Sequence, residues 1–216
     1  MKHKHTHYIY ASFAFLLFVA LGYMVKFYPE ALTGFDSNIQ TWVRGDLPGG
    51  LTAFFKMITT LGNTSVQAVI AILAVIWLYL RQYKAEAIFV GTSGVLASIM
   101  IMSLKYIYQR PRPSITHLVH AGGYSFPSGH SLGTFMILGA IAIVLTQRLV
   151  KKAAKTAVYG ITGLLIFLVG LSRIYVGVHY PTDVLACFTL AFGLLNAIYP
   201  TYDRIRFEWR FQSKQK

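Results

Sequence analysis

Residues 172–183 read SRIYVGVHYPTD and stand between two apolar runs, 157–171 and 184–199. Between two membrane crossings only a short turn is expected, yet this one holds Arg173, His179 and Asp183. Charged groups at the edge of a bilayer are costly, so each needs a reason. His179 and Asp183 are four apart, and Pro181 suits the first position of a helix. The stretch therefore predicts a helix beginning at Pro181, with His179 just before it and Asp183 in its first turn. The two side chains can then meet. A carboxylate on one imidazole nitrogen fixes the tautomer and leaves the other nitrogen for chemistry.

The runs on either side set the fold class. The chain has 216 residues, 55% hydrophobic and only 12% charged. Its apolar residues come in long runs rather than amphipathic stripes, which predicts an all-α integral membrane bundle. Six spans are expected, at 8–25, 66–80, 85–104, 129–149, 157–171 and 184–199. One membrane-embedded domain over 1–216 is the natural organisation. The basic start, with alternating His3, His5 and His7, reads as a solvated tail rather than a metal site. The first run is long for a signal peptide and lacks a small-residue cleavage site, so it reads as an uncleaved span. Phe27, Tyr28 and Trp42 suit a headgroup layer. Asp36 is expected to cap a short helix ending near Val43, which the Pro48-Gly49-Gly50 break follows. Residues 51–61 read as an amphipathic piece leading into the second span. Asn63-Thr64-Ser65 matches a glycosylation sequon, a pattern too short to carry weight. Pro200 is expected to stop the sixth span, leaving 201–216 as a basic tail. The single Cys187 excludes an internal disulfide and reads as a small buried residue.

The net charge of +13 raises the possibility of nucleic acid, but its distribution points to membrane topology instead. With six spans and both termini cytoplasmic, the inner segments hold 13 basic against 3 acidic side chains, net +10. The outer segments hold 7 against 4, net +3. The excess lies inside, as positive-inside topology requires. Four of the seven outer cations, Lys105, Arg110, Arg112 and Arg173, fall in only two loops or at their borders. This orientation puts the candidate site on the extracytoplasmic face of a multi-pass cell-membrane protein.

Three pieces converge there: Lys105 with Arg112-Pro113, then Pro127-Ser128-Gly129-His130, then Ser172-Arg173 with His179 and Asp183. Ser128 and Pro181 are expected to open two helices, whose free N–H groups favour an anion. Ser128 suits an N-cap, and Gly129 permits close approach to the backbone. With Lys105, Arg112 and Arg173 as fixed cations, a phosphate fits this inventory. The histidine held by a carboxylate is the better nucleophile, so His179 would attack phosphorus and pass through a phosphohistidine. His130 would protonate the leaving oxygen and later activate water, the second substrate. Asp183 is the only acid expected near the site, so no metal or other cofactor is expected. Arg110, His117 and His120 are set aside as loop residues.

These pieces resemble, position for position, the three-part signature of the type 2 phosphatidic acid phosphatase superfamily. That family includes integral-membrane lipid phosphatases and soluble vanadium haloperoxidases. The resemblance spans 105–183 and implies the same roles: His179 as nucleophile, Asp183 as its partner, His130 as acid, and Lys105, Arg112, Ser128, Gly129 and Arg173 as the phosphate cradle. The small six-span form is similar to the bacterial phosphatidylglycerophosphate and undecaprenyl-diphosphate phosphatases within it. The implied substrate is a lipid phosphate, with phosphatidylglycerophosphate first, undecaprenyl diphosphate second, and phosphatidate or diacylglycerol diphosphate as further choices. Vanadate-dependent oxidation fits six apolar spans poorly. A non-enzymatic lipid- or anion-binding protein leaves the His179–Asp183 pair and His130 without a purpose.

Overall fold

Eight helices carry the described residues, 4–215, of the computed structural model. They are α1 (Lys4–Phe27), α2 (Pro29–Arg44), α3 (Gly49–Thr60), α4 (Thr64–Leu80), α5 (Lys84–Tyr108), α6 (Gly129–Thr146), α7 (Lys152–Tyr175) and α8 (Pro181–Phe211). Five of them, α1 and α5 to α8, are long and apolar enough to cross a membrane. The pair α3 and α4, bent by 49° at a short break, is long and apolar enough for a sixth crossing when taken as one unit. Residues 49–60 lead into α4 across that bend. The bend has local causes. Gly62 and Asn63 interrupt the ladder, and α4 restarts with Asn63 in extended backbone.

The bundle closes around small side chains. Ala97, Ala140, Ala186 and Ala191 are almost wholly buried, which lets helix axes approach closely. Larger residues, among them Val90, Leu132, Met136 and Leu190, fill the space between them. Helix α1 packs along α8, where a Cβ at Gly193 would come within 2.8 Å of Phe15 Cε1. A second cluster, Phe55 stacked on Tyr175 with Val176 and Val178, fastens α3 to the end of α7.

Several sequence expectations need correction. Asp36 does not open a helix of its own. It lies in the middle of α2, buried, and its carboxylate accepts from Arg110 and from both N and Oγ1 of Thr182 in the first turn of α8. Pro200 does not stop the sixth span, and α8 runs on to Phe211. Proline lacks one N–H, but the continuing turns are docked strongly enough to outweigh that loss. Tyr202 stacks on Phe89 at 4.2 Å and donates to Gln147 Oε1 at 2.7 Å, and Arg210 reaches Glu86 at 3.2 Å. Lys4 to His7 likewise belong to α1, with His7 Nδ1 2.8 Å from Asn196 Oδ1.

The two sets of charged segments lie at opposite ends of the bundle. At one end Glu86 is bound by Arg148 at 2.9 Å and by Arg210. At the other, Lys26 donates to the carbonyl of Ile107, next to the turn that ends α5. Lys2 and Lys216 of the charge count lie outside the described residues.

Candidate active site

The 172–183 turn is built as its sequence predicts. Helix α7 ends at Tyr175, and Gly177 takes a left-handed φ of 81°. A side chain there would be strained, and its Cβ would lie 2.7 Å from the Thr116 carbonyl oxygen. Pro181 opens α8, and the Tyr180 N–H donates to Asp183 Oδ2 at 3.0 Å, fixing the carboxylate in the first turn. His179 Nδ1 lies 3.4 Å from that same oxygen. Both residues are buried, His179 at 2% exposure and Asp183 at 0%.

The surroundings assign the tautomer. Nδ1–H points to Asp183 Oδ2 and to Ser125 Oγ at 3.3 Å, and the Ser125 hydroxyl donates to Asp183 Oδ2. On the other side of the ring, Arg112 Nη1 donates to Nε2 at 3.3 Å. Nε2 therefore carries the lone pair. Burial pushes the His179 pKa down to about 4, although Asp183 pulls it upward. The imidazole is neutral in ordinary conditions, the form a nucleophile requires.

Arg112 is held by carbonyls as well. Nη1 donates to Val178 O at 2.6 Å, Nη2 to Gly122 O at 2.8 Å, and Nε to Gly123 O at 3.0 Å. These bonds order the loop between α5 and α6, which Phe126 also anchors by inserting its ring between Phe18 and Tyr108. Ser128 follows as the N-cap of α6, its Oγ accepting from Ser131 N. Arg173, near the end of α7, is 3% exposed and donates from Nη1 to Thr59 Oγ1 at 2.6 Å. Its Nε is buried with no protein partner among the described residues, a donor left for a ligand.

A cavity of about 920 Å³ brings these groups together. Lys105, Arg112, Gly129, His130, Arg173 and His179 line its polar end. Its remaining wall is largely apolar and follows α4 and α5, with Ala71, Val75, Gly91 and Gly94 along it. Ser128 and Asp183 stand behind this lining, and Ser172 turns away, donating to Val169 O at 2.6 Å. His130 faces the cavity with Nε2 3.0 Å from Asn63 Oδ1.

The sequence reading missed a buried ionic support. Arg110, set aside as a loop residue, donates from Nη1 to Asp183 Oδ1 at 2.6 Å and to Thr182 Oγ1 at 2.8 Å. Its Nη2 donates to Asp36 Oδ2 at 2.8 Å, and its Cζ lies 3.8 Å from the Tyr180 ring centroid. Thr182 closes the network through N and Oγ1, both on Asp36. Asp183 is therefore not the only acid near the site. The two carboxylates share one guanidinium, which occupies the place between them. His120 also lines the cavity, whereas His117 bonds Pro113 O within its own loop. Nothing in the spacing of Asp36, Ser125 or Thr182 announces them, because their partners lie 54 to 146 residues away.

Known proteins resemble this chain in sequence and in fold. A family model described as the PAP2 superfamily matches residues 86–207. Phosphatidylglycerophosphatase B of Bacillus subtilis (strain 168) is 38% identical over 125 residues, 57% of this chain and 58% of that protein. Undecaprenyl-diphosphatase BcrC of the same organism is 32% identical over 133 residues, 59% of this chain and 64% of that protein. The matched segments thus span less than two thirds of either relative's own length. The crystal structure of a transmembrane PAP2-type phosphatidylglycerolphosphate phosphatase from Bacillus subtilis superposes with a TM-score of 0.83 at 28% identity, covering 90% of this chain and 96% of that one.

Proposed function

This chain belongs to the PAP2 superfamily, and from that premise we propose that it is a membrane lipid phosphate phosphatase acting through a phosphohistidine. One observation carries the reading. His179 presents an unprotonated Nε2 to a cavity lined by Lys105, Arg112 and Arg173, while Asp183 holds its other nitrogen. We read residues 1–216 as one membrane-embedded domain.

The chemistry runs in two steps. His179 Nε2 attacks phosphorus, and the bond from phosphorus to the lipid oxygen breaks. His130 gives that oxygen a proton. The phosphohistidine ring carries positive charge, which Asp183 offsets through Nδ1–H. A water molecule then attacks phosphorus and gives its proton to His130. The P–N bond breaks, inorganic phosphate leaves, and both histidines regain their starting forms. Throughout, the three cations and the backbone N–H groups at the start of α6 offset charge on the phosphoryl oxygens. No step calls for a metal ion.

The apolar wall of the cavity supports a substrate with acyl or prenyl chains. Phosphatidylglycerophosphate is the preferred substrate, supported by the relative and the solved structure that bear that activity in their names. Undecaprenyl diphosphate is the second reading, supported by the relative named for it. The charge bias supports a topology with both termini in the cytoplasm and the site at the outer face of the cell membrane. The test is a panel of lipid phosphates in detergent or bilayer, with and without chelator, using the natural protein and His179→Ala. We expect phosphate release from at least one lipid, unchanged by chelator and lost in the variant. Release at the normal rate from His179→Ala overturns the mechanism, and inhibition by chelator overturns its metal independence.

A further inference from the structure

The bend between α3 and α4 belongs to none of the three motif pieces, yet it touches two of the groups they supply. Thr59 accepts from Arg173, and the next turn encloses His130. Asn63 occupies the N-cap of α4. An asparagine there ordinarily turns its oxygen to the helix's own second or third N–H. Asn63 makes no such bond. Its Oδ1 lies 3.0 Å from His130 Nε2 instead. Gly62 backs the same ring so closely that a Cβ there would lie 2.7 Å from His130 Cδ2 and 2.8 Å from His130 Cβ. Gln67 Nε2 then links the bend to α6, reaching Gly62 O at 3.0 Å, His130 O at 3.1 Å and Thr134 Oγ1 at 3.0 Å.

We propose that Asn63 is a positioning residue for the general acid, and that the α3–α4 bend is a fourth piece of the active site. The proposal rests on the phosphatase reading given above. His130 Nε2–H donates to Asn63 Oδ1, so Nδ1 is the nitrogen left to face the leaving oxygen. In the first step the Nδ1 proton passes to that oxygen as its bond to phosphorus breaks. His130 is left as the neutral Nε2–H tautomer, which Asn63 continues to hold. In the second step the Nδ1 lone pair takes the proton from the attacking water. Without the Asn63 oxygen, nothing among the described residues fixes which nitrogen keeps its proton.

A positioning role predicts a loss that depends on the leaving group. An alkoxide leaves poorly and needs the proton, whereas nitrophenolate leaves without it. We therefore expect Asn63→Ala to lower kcat/KM for a lipid phosphate by about 10- to 100-fold, part of the effect of a general acid. On p-nitrophenyl phosphate the same variant should lose no more than about threefold, a leaving group that makes little use of the acid. Asn63→Asp keeps an acceptor oxygen and should restore most of the lipid activity. Gly62→Ala presses on the ring without touching Asn63 and should show the same skew between substrates. Thermal unfolding of each variant close to that of the natural protein accompanies this outcome. Equal losses on both substrates, or no loss on the lipid, overturn the proposal. A natural protein that releases phosphate from no lipid in this assay overturns the underlying reading instead.

Discussion

His179 shows how burial and charge divide the work on one side chain. Burial lowers its pKa to about 4, and Asp183 with Ser125 decides which nitrogen carries the proton. The consequence for activity has a definite sign. In the proposed mechanism the neutral ring is the nucleophile, so lowering the pH from 7 to 5 should leave it competent. The limb of kcat/KM that reports this group should fall near pH 4 rather than near the ordinary histidine value of about 6.5. Stability follows the same linkage. The unfolded chain takes up this proton below about pH 6.5, whereas the folded protein resists it down to about pH 4. His179 should therefore cost no stability above pH 6.5 and an increasing amount as pH falls from there toward 4. Titration of the His179 ring by NMR, alongside thermal unfolding at each pH, checks both expectations. A ring that titrates near 6.5 contradicts them.

At the scale of elements, Arg110 joins three segments that are remote in sequence: α2 through Asp36, the α5–α6 loop through its own backbone, and α8 through Thr182 and Asp183. Removing one partner of a buried ion pair leaves a charge without compensation, at a cost of about 3–5 kcal/mol. Arg110→Ala strands two carboxylates, so we expect a loss of that size in unfolding measurements in detergent. The activity should fall as well, because Asp183 loses the donor on Oδ1. Arg110→Lys should not restore either, since an ammonium cannot reproduce a fork that reaches Asp36 and Asp183 at once. The same element shows where sequence reading succeeds and where it stops. Pro181, His179 and Asp183 were legible because a helix start and a four-residue interval are local rules. Ser128 was legible for the same reason. Asp36 was misread as a cap because its real partner lies 74 residues away. Pro200 was misread as a stop because the contacts that carry α8 past it come from α5 and from the turn after α6. Asn63 stood inside a sequon, and only the fold brings it to His130.

For the whole molecule, hydropathy and charge predict six crossings, of which five are single helices long and apolar enough, and they sort the charged segments to two ends, because both follow from sums over many residues. The bend at the second expected crossing was hidden, since α4 is only 17 residues long and α3 is separated from it by a turn. The orientation can be measured directly. Cys187 is buried, so the natural protein offers a silent background to a membrane-impermeant maleimide. Ser114→Cys lies in the exposed α5–α6 loop at the site end, and Val150→Cys lies at the opposite end with 94% exposure. In sealed right-side-out cells or vesicles we expect Ser114→Cys to label and Val150→Cys to label only after permeabilisation. The reverse pattern would put the site in the cytoplasm.

The cavity's apolar wall between α4 and α5 has one more consequence. A substrate whose chains stay among the lipids meets this protein by diffusing in a plane, and bulk water is not its solvent. Saturation is then set by how many lipid molecules in a hundred are substrate, whatever the volume of buffer around the membrane. Adding inert lipid dilutes such a reaction, while adding water does not. For a bundle acting on such a substrate, the bilayer is both the support and the reaction medium, and its composition is a kinetic variable in its own right.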